Sequence, residues 1–175
     1  MAKTKTTNDM KRPLPFLLCF GGLIVLLIAI VSWMPGRHSA DIMCTPGSLK
    51  LTAGQPSGAA GTIYQPLEVK NTSKKSCKVS GYPTVFLYGS NGYALGNAAA
   101  QTPQPAPAAI ILGPGEMAHT TVGFPQAGNF DPGICSSSKS TSIRIFMPGA
   151  TASLEMPFEN YWCPGFSSSA MQLGS

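Results

Sequence analysis

The sequence predicts an all-β protein: an immunoglobulin-like antiparallel β-sandwich of about eight strands, preceded by one N-terminal transmembrane helix. Three observations predict this class. Residues 13–36 read PLPFLLCFGGLIVLLIAIVSWMPG and contain no charged side chain. After them come short runs in which apolar and polar side chains alternate, as is typical of half-buried strands. The 19 glycines and 16 prolines occur without a regular period, which indicates many turns rather than a fibrous repeat.

The uncharged stretch predicts a helix that spans the membrane over residues 13–35. About 20 of its positions are apolar, enough to cross a hydrocarbon core of roughly 30 Å, whereas the apolar core of a signal peptide is usually about 7–15 residues long. Four basic residues precede the stretch and Arg37 alone follows closely, so the positive-inside rule makes residues 1–12 a cytoplasmic tail. We therefore expect a single-pass membrane protein with a stalk over 36–43 and an extracytoplasmic domain over 44–175.

Two other fates of the N-terminal segment would give different products. Cleavage after Ala40 would release a secreted protein, although His38 is large and polar for the third position before a signal-peptidase site. Lipidation at Cys19 would leave the hydrophobic stretch attached, because this cysteine precedes most of it. The uncleaved anchor agrees best with the length of the stretch, and cleavage is the alternative.

The positive charge of the chain belongs mainly to its N-terminal segment. Residues 1–40 carry five basic side chains and one acidic side chain, a net charge of +4, whereas residues 41–175 carry seven and six, a net charge of +1. The net charge of +5 is therefore a topological signal. A domain so nearly neutral lacks the basic surface that phosphate backbones require, so we expect no nucleic-acid partner.

The cysteines divide in the same way, because Cys19 lies in the apolar stretch and the other four follow it. An even number of cysteines in an exported domain predicts two disulfides. Two predicted strands separate the cysteines of each pair, and two antiparallel strands return the chain to the same end of a sandwich. Among three possible connectivities we therefore predict Cys44–Cys77 and Cys135–Cys163.

Eight runs of alternating residues predict the strands of the domain. Apolar residues recur at every second position, so one face of each strand would reach the core. Pro66, in the second run, lacks a backbone N–H and predicts a bulge or an edge strand. In order, the runs are SLKLTA (48–53), GTIYQPLEVK (61–70), PTVFLYG (83–89), YALG (93–96), AAIIL (108–112), EMAHTTVGF (116–124), SIRIFM (142–147) and ASLEMPF (152–158).

Turn residues separate these runs. Asn91-Gly92 predicts a hairpin between the third and fourth runs. Pro114-Gly115 suits the central positions of a type II turn, and Pro148-Gly149 joins the last two runs. The Ala/Pro-rich segment 97–109 predicts an exposed, partly polyproline-like loop, and 125–134 is a long connection rich in turn formers. Long loops on a rigid sandwich often bind ligands, and the alternative is that both are spacers.

The stretch NTSKKS, residues 71–76, predicts a turn rather than a binding loop. Asn71 ends one strand and tolerates turn geometry. Lys74 and Lys75 are then solvated charges at the turn tip, with a ligand clamp as the alternative. Asn71 is also the first residue of an N-glycosylation sequon, Asn71-Thr72-Ser73.

Several segments resemble one known family. The most specific are Leu67-x-x-x-Asn71 and Cys77-x-x-x-Gly81-Tyr82-Pro83, accompanied by LGPGEMAHTTVGF, SIRIFMPG and the last cysteine. The resemblance is to the family called domain of unknown function 4232 and covers about residues 44–163. It implies an exported envelope protein or lipoprotein of an actinomycete-type bacterium, which agrees with the predicted topology, although this chain has no lipobox. It implies no activity and no site residues.

Three side chains are candidates for hydrolytic chemistry. His119 is the one histidine of the predicted domain, but no G-x-S-x-G elbow accompanies it. Glu155 and Glu159 would be the paired carboxylates of an envelope hydrolase. The alternative is that both glutamates lie on a solvated rim.

A copper site is a second possibility. Met117 and His119 are two residues apart on one predicted strand, so they share a face, and thioether and imidazole are ligands that copper accepts. Met43 and Met156 could contribute if the fold brings them near. Methionines more often fill cores, and we expect no cofactor.

Aromatic residues are the remaining candidates, because those on outward faces could form a platform for a sugar or a protein. We predict a non-enzymatic, membrane-anchored extracytoplasmic domain with a binding or structural role in the cell envelope and an envelope protein or glycan as partner. An envelope hydrolase and an extracytoplasmic copper-binding protein are the alternatives. The aromatic candidates are Tyr64, Tyr82, Tyr88, Tyr93, Tyr161 and Trp162.

Overall fold

The computed structural model describes residues 42–174, so the predicted tail, the membrane helix and most of the stalk lie outside the described residues. Within this part the structure is all-β, as predicted, with two short 3₁₀ helices at Pro46–Ser48 and Ala127–Asn129. None of the helices in residues 42–174 is long and apolar enough to cross a membrane. The strands are β1 (Leu49–Ala53), β2 (Ser57–Ala59), β3 (Thr62–Asn71), β4 (Cys77–Ser80), β5 (Thr84–Tyr88), β6 (Ala100–Gln101), β7 (Ala109–Leu112), β8 (Met117–Pro125), β9 (Ser142–Phe146), β10 (Ser153–Pro157), β11 (Ser167–Ser168) and β12 (Gln172–Leu173).

The strands of the described residues form three sheets. The largest has the order β1–β3–β8–β11–β6, with β2 also paired to β3 and β12 to β8. The strands β10, β9 and β5 form a three-stranded sheet, and β4 pairs with β7. Strand pairing is antiparallel throughout residues 42–174 except between β6 and β11.

One apolar cluster joins the inner faces of the three sheets. Leu67 and Phe124 come from the large sheet, Leu87 and Ile143 from the three-stranded sheet, and Leu112 from the β4–β7 pair; each is at most 1% exposed. Alternation produces this cluster, since neighbouring residues on each strand point away from it. Burying one such side chain contributes about 1.5–3 kcal/mol, so the core supplies most of the stability of the domain.

Pro66 lies in a central strand, not at the edge of the sheet. Between the pairs Ala53–Leu67 and Ser57–Tyr64, three residues of the neighbouring segment stand opposite two residues of β3. The extra residue is a bulge that separates β1 from β2. The Pro66 carbonyl accepts a hydrogen bond from Gly54 N at 2.9 Å, so this side of the Pro66 backbone faces the bulge. The missing N–H of Pro66 therefore lies where the pairing with β1 and β2 is already interrupted. The bulge expected at Pro66 is present, but on the partner strand.

The turn predicted at Asn91-Gly92 forms, but the segment after it does not form the strand that would complete the hairpin. Gly92 N donates to the Gly89 carbonyl at 3.0 Å, which reverses the chain. The segment 93–96 then pairs with β5 only through an isolated bridge at Ala94. The last residue of this segment, Gly96, lies directly against the indole of Trp162. The chain bonds to β5 again at Ala99, whose N–H donates to the Val85 carbonyl at 2.9 Å.

Both proline-glycine turns form as predicted. At Pro114-Gly115, Glu116 N donates to the Gly113 carbonyl at 3.1 Å and Gly115 has a φ of 82°. A positive φ at the third position of the turn is the type II geometry, which glycine adopts without strain. In the Pro148-Gly149 turn the glycine likewise has a positive φ, 78°.

Two disulfides close the domain, and they join the pairs that strand parity predicts. Cys44 and Cys77 have an S–S distance of 2.05 Å, and Cys135 and Cys163 one of 2.11 Å. The first fastens the beginning of the described chain to β4, where Cys44 N also donates to the Lys78 carbonyl at 2.9 Å.

Asn71 is the centre of the turn that follows β3. Its side chain is fully buried; Nδ2 donates to the carbonyls of Lys75 and Leu112 at 2.8 and 2.9 Å, and Oδ1 accepts from the N–H and hydroxyl of Ser73 at 2.9 and 2.8 Å. The turn leaves Lys74 and Lys75 exposed, as expected for solvated charges. Because Asn71 is 0% exposed, the folded domain does not present this sequon for glycosylation.

The segment after Cys163, where no strand was predicted, completes the large sheet. It supplies β11 and β12, and it buries Phe166, Ala170 and Met171. Phe124 of β8 stacks on Phe166 with ring centroids 5.3 Å apart. The C-terminal segment is therefore part of the core and not a tail.

Candidate functional site

A shallow groove of about 260 Å³ lies on the outer face of the large sheet. Strands β3, β8, β11 and β12 supply five of its nine lining residues, the loop after β6 supplies three, and the turn between β11 and β12 supplies Ser169. We call it the Tyr64 groove. Its lining residues are Tyr64, Thr102, Gln104, Pro105, Thr121, Gly123, Ser167, Ser169 and Gln172.

The pair of Tyr64 on β3 with Gly123 on β8 shapes this groove. Tyr64 is 39% exposed, and a Cβ added at Gly123 would lie 3.5 Å from Tyr64 Cε1 and 2.8 Å from Ser167 Oγ. The tyrosine ring therefore leans over the glycine and is held by the sheet surface. Because Gly123 has no side chain, Ser167 and the Tyr64 ring approach the backbone of β8 closely at this position.

The loop after β6 is fixed against the sheet. Thr102 N donates to the Ser168 carbonyl at 2.9 Å, and Tyr82 Oη donates to the Thr102 carbonyl at 2.7 Å. Thr102 Oγ1 donates to the Gln104 carbonyl at 2.9 Å. The Ala/Pro-rich segment 97–109 was predicted to be an exposed loop; it contains β6, and its middle part lines the groove.

The C-terminal segment is fixed to β8 just as firmly. Thr121 N donates to Ser169 Oγ and Ser169 N donates to the Thr121 carbonyl, both at 2.9 Å. Thr120 Oγ1 donates to the Ser169 carbonyl at 2.7 Å from the buried side. These bonds set the positions of Ser167 and Gln172 along the groove.

The Tyr64 groove is uncharged, and part of its hydrogen-bonding capacity is unused. No Asp, Glu, Lys, Arg or His belongs to its lining. Thr102 and Ser169 use their hydroxyls in bonds within the domain. Five other lining side chains make no hydrogen bond to any group in residues 42–174: Tyr64, Gln104, Thr121, Ser167 and Gln172.

A family model described as "Domain of unknown function (DUF4232)" matches residues 44–174, three quarters of the chain. The chain belongs to this family. The match extends past Cys163 to the end of the described residues, so both sides of the Tyr64 groove lie inside the DUF4232 domain. None of the curated proteins matches the chain.

Within the DUF4232 domain, His119 lies apart from the predicted carboxylates. It is half-buried on β8, in the large sheet, whereas Glu155 is on β10, in the three-stranded sheet, and Glu159 follows β10. His119 Nδ1 lies 3.0 Å from the Gly174 carbonyl. Since a carbonyl only accepts, Nδ1 is the donor in this bond.

Glu155 is held by its neighbours as an ionised carboxylate. Arg144 Nε lies 2.9 Å from Oε2 as an ion pair, and Nη2 donates to Oε1 at 3.3 Å. Hydrogen bonding from Ser142, and then from Arg144, lowers the pKa of Glu155, while Glu155 raises the pKa of Arg144. A general acid of a hydrolase requires the opposite shift, so this environment does not suit Glu155 for that role.

Met117 and His119 share the outer face of β8, as predicted, and both are half-buried. Met43 pairs with β4 and Met156 lies on β10, so these two belong to other sheets. Within residues 42–174 the fold brings together no group of three His, Cys, Asp or Glu side chains that could hold a metal ion. The further thioethers, Met43 and Met156, lie in other parts of the fold, and the copper site remains a hypothesis.

The aromatic candidates do not form one platform. Tyr82 and Trp162 donate their polar hydrogens to backbone carbonyls, at 2.7 and 3.0 Å. Arg144 covers the Tyr88 ring at 3.9 Å, and the Lys139 ammonium lies 6.0 Å from the Tyr161 ring. Tyr93 is 74% exposed in the Asn91-Gly92 hairpin and does not line the groove. Tyr64 alone among the six lines the groove.

A second, larger cavity of about 630 Å³ lies beside the loop 125–134. Phe130, Asp131 and Tyr161 line it, together with Cys135. Its lining consists of loop and turn residues, whereas the Tyr64 groove is built on paired strands. A preorganised site requires rigid support, so the Tyr64 groove is the better candidate.

Most of the groove was missed at the level of sequence. Tyr64 was a candidate, but Gln104, Thr121, Ser167 and Gln172 carry no motif and come from four separate segments. Gly123 offered one local signal, since a glycine inside a strand often marks a close approach or an open surface. No pattern along the chain indicated that Ser167 would lie beside it.

Proposed function

We propose that this chain is a non-enzymatic, membrane-anchored extracytoplasmic protein that binds a cell-envelope partner through the Tyr64 groove. The observation that carries the proposal is the group of five unbonded polar side chains in an uncharged groove. A ligand site is typically a concave surface on which a few polar groups converge. These five side chains converge on one groove, with their hydrogen-bonding groups free of partners in residues 42–174.

Export and anchoring are supported by two features of the chain. The uncharged stretch 13–36 has the length of a transmembrane helix, and the basic residues before it favour a cytoplasmic N-terminus. The four cysteines after the stretch pair as two disulfides, which persist in an oxidising compartment. The proposed domain therefore begins near Cys44, outside the membrane.

The proposal includes an immunoglobulin-like sandwich as the architecture of the domain. The three-stranded sheet and the large sheet share one apolar cluster, which supports two sheets packed face to face. In such a sandwich the outer face of the large sheet, with the Tyr64 groove, is open to a partner.

A non-enzymatic role is supported by the separation of the candidate catalytic groups. His119 and Glu155 lie on different sheets, and Glu155 is paired with Arg144. No groove residue is a carboxylate, an imidazole, an amine or a thiol, so Tyr64 is the one lining side chain of a kind that acts in general acid–base catalysis. Binding requires none of these groups.

Site-specific photocrosslinking in intact cells tests the proposal. A photoreactive residue at Gln104, on the groove, is compared with one at Tyr93, which is 74% exposed and outside it. We expect a discrete envelope protein or glycan to be captured from position 104 and not from 93. Capture of the same abundant proteins from both positions would contradict a binding role for the groove.

The location is tested separately with the full chain in cells. Labelling of the denatured envelope fraction with a thiol reagent, before and after reduction, should find Cys44, Cys77, Cys135 and Cys163 oxidised; denaturation is needed because Cys44, Cys77 and Cys163 are buried in the folded domain. Free thiols at these four positions in the envelope fraction would contradict an extracytoplasmic domain.

A further inference from the structure

We propose that the ligand of the Tyr64 groove is an uncharged carbohydrate, a short portion of a neutral glycan. This inference rests on the proposed function, because it names the ligand class of the same groove.

The absence of charge in the lining excludes ligands whose recognition depends on ion pairs. A phosphate or carboxylate is usually bound by Arg, Lys or a cluster of backbone N–H groups, and an ammonium by a carboxylate or an aromatic cage. None of the charged residue types lines the groove. The groove is suited to a ligand that is polar but neutral.

The unused side chains match the hydroxyl groups of a sugar. The amides of Gln104 and Gln172 each provide donors and an acceptor, and the hydroxyls of Thr121, Ser167 and Tyr64 can each donate and accept. A sugar hydroxyl also does both, so every pairing can be satisfied in at least one direction. Such mutual satisfaction matters, because a polar group left unpaired on binding costs about 1–3 kcal/mol.

An extended peptide suits this surface less well. Peptides commonly add to a sheet through backbone bonds at an exposed edge. Here β3 and β8 pair along their length, from the pair of Thr62 with Pro125 to the pair of Lys70 with Met117. On its other side, β8 pairs with β11 and β12. The groove therefore offers side chains and a ring, and no free row of backbone groups.

The Tyr64 ring provides the apolar contact that a sugar also requires. One face of a pyranose ring presents mainly C–H groups, which pack on the electron-rich face of an aromatic ring. Tyr64 is held over Gly123 and next to Ser167, so its ring is positioned before binding. Pro105 adds a second apolar surface on the loop side.

The size of the groove agrees with a part of a polymer. Pockets that enclose a drug-sized ligand measure about 300–1,000 Å³. A groove of about 260 Å³ that opens on the sheet surface would hold a short portion of a chain and leave the rest in solvent. We therefore expect weak binding to single sugars and tighter binding to oligomers.

The test uses the full chain in nanodiscs free of glycosidic detergent, with binding measured by calorimetry. The probes are maltohexaose, mannohexaose, chitohexaose and the neutral polysaccharide fraction of the producing cell envelope, with polygalacturonate as an anionic comparison. We expect at least one neutral probe to bind and polygalacturonate not to bind. Tyr64→Ala should weaken the binding at least about tenfold, and Tyr64→Phe, which keeps the ring, should stay within about threefold.

Tyr88→Ala is the matched control, because it removes a tyrosine from the other sheet and should leave affinity unchanged. Circular dichroism and thermal unfolding establish that each variant is folded. Failure of every neutral probe to bind overturns the carbohydrate assignment, while capture of an envelope protein from position 104 would still support the proposed function. Binding that Tyr64→Ala does not weaken overturns the assignment of the ligand to this groove.

Discussion

The outer faces of the large sheet and of the three-stranded sheet carry similar residue types in different arrangements. On the three-stranded sheet, Arg144 stacks on Tyr88 at 3.9 Å and pairs with Glu155, and Phe86 meets Tyr88 edge to face with centroids 6.3 Å apart. Its aromatic and charged side chains are thus paired with one another. On the large sheet, Tyr64 stands beside polar side chains that have no partner in residues 42–174.

The difference shows what distinguishes a candidate site from an ordinary surface. An exposed aromatic ring is common on both faces, and by itself it predicts nothing. The distinguishing feature is a groove in which polar side chains without partners in residues 42–174 lie next to an aromatic ring. That combination is present on the large sheet around Gly123. It is absent on the three-stranded sheet, where Arg144 covers Tyr88 and pairs with Glu155.

The largest expected effect is a loss of stability of the whole domain, which concerns both faces equally. Replacing Cys44 and Cys77 together by serine removes a crosslink that closes a 33-residue separation. In the chain-entropy model the free energy of unfolding falls by about 3–4 kcal/mol. Urea unfolding of the purified chain, followed by tryptophan fluorescence, measures the loss.

The same double variant should bind the groove ligand as the parent chain does at a temperature where it stays folded, since no cysteine lines the groove. A loss of stability below about 1 kcal/mol would mean that the crosslink adds little to a core that already fixes these segments. A loss of affinity in a folded variant would mean that the end of the chain supports the groove.

The next effect concerns β3, which carries a fully bonded polar residue at its end and Tyr64 near its beginning. Asn71→Ala removes four side-chain hydrogen bonds and leaves the buried Leu112 carbonyl without the Asn71 donor. We expect the free energy of unfolding to fall by about 2–3 kcal/mol. Thr72→Val is the control, because its exposed bond to the Ser48 carbonyl should contribute less than about 1 kcal/mol. Equal losses in the two variants would contradict the central role of Asn71.

Asn71 and Gly123 also show which features of the structure can be predicted from the sequence and which cannot. Alternation, turn residues and cysteine parity are local signals, and they predicted the all-β class, most strand positions and the paired cysteines. The strand expected at 93–96 does not form, and its last residue lies against Trp162, a contact distant in sequence that no local pattern indicates. The two-residue strand β11 is too short to show any alternation, so the sequence holds no periodic signal for it.

The candidate site was less predictable than the fold for the same reason. Its side chains come from β3, the loop after β6, β8, β11 and β12, and their proximity depends on strand order. Strand order is decided by long-range pairing, which one sequence does not encode in any short window. Tyr64 could be named in advance as one of several outward aromatics, but the polar side chains around it could not.

A third prediction separates the two faces directly. Tyr88→Ala removes the ring that Arg144 covers and Phe86 meets, so we expect the free energy of unfolding to fall by about 1–2 kcal/mol. Tyr64→Ala should cost less stability and reduce ligand affinity instead. Thermal unfolding and calorimetry on both variants measure the two quantities. If Tyr64→Ala proves the more destabilising and leaves binding intact, the ring serves mainly to cover Gly123.

The smallest expected effect depends on pH and is confined to the three-stranded sheet. Hydrogen bonds from Ser142 and Arg144 lower the pKa of Glu155 in the folded protein below its ordinary value of 4.5. The folded state therefore binds this proton less readily than the unfolded state, and the pair stabilises the protein above about pH 4.5. The contribution is lost as the pH falls through the lowered pKa, and it stays small because both side chains are exposed to solvent. Thermal midpoints of the parent chain and of Glu155→Gln should differ slightly at pH 7, and the difference should shrink as the pH falls below about 4.5. Glu159→Gln is the matched control, since Glu159 forms no ion pair within residues 42–174. A difference for Glu155→Gln that persists unchanged at pH 3 would show that the glutamate stabilises the sheet by packing and not by its charge.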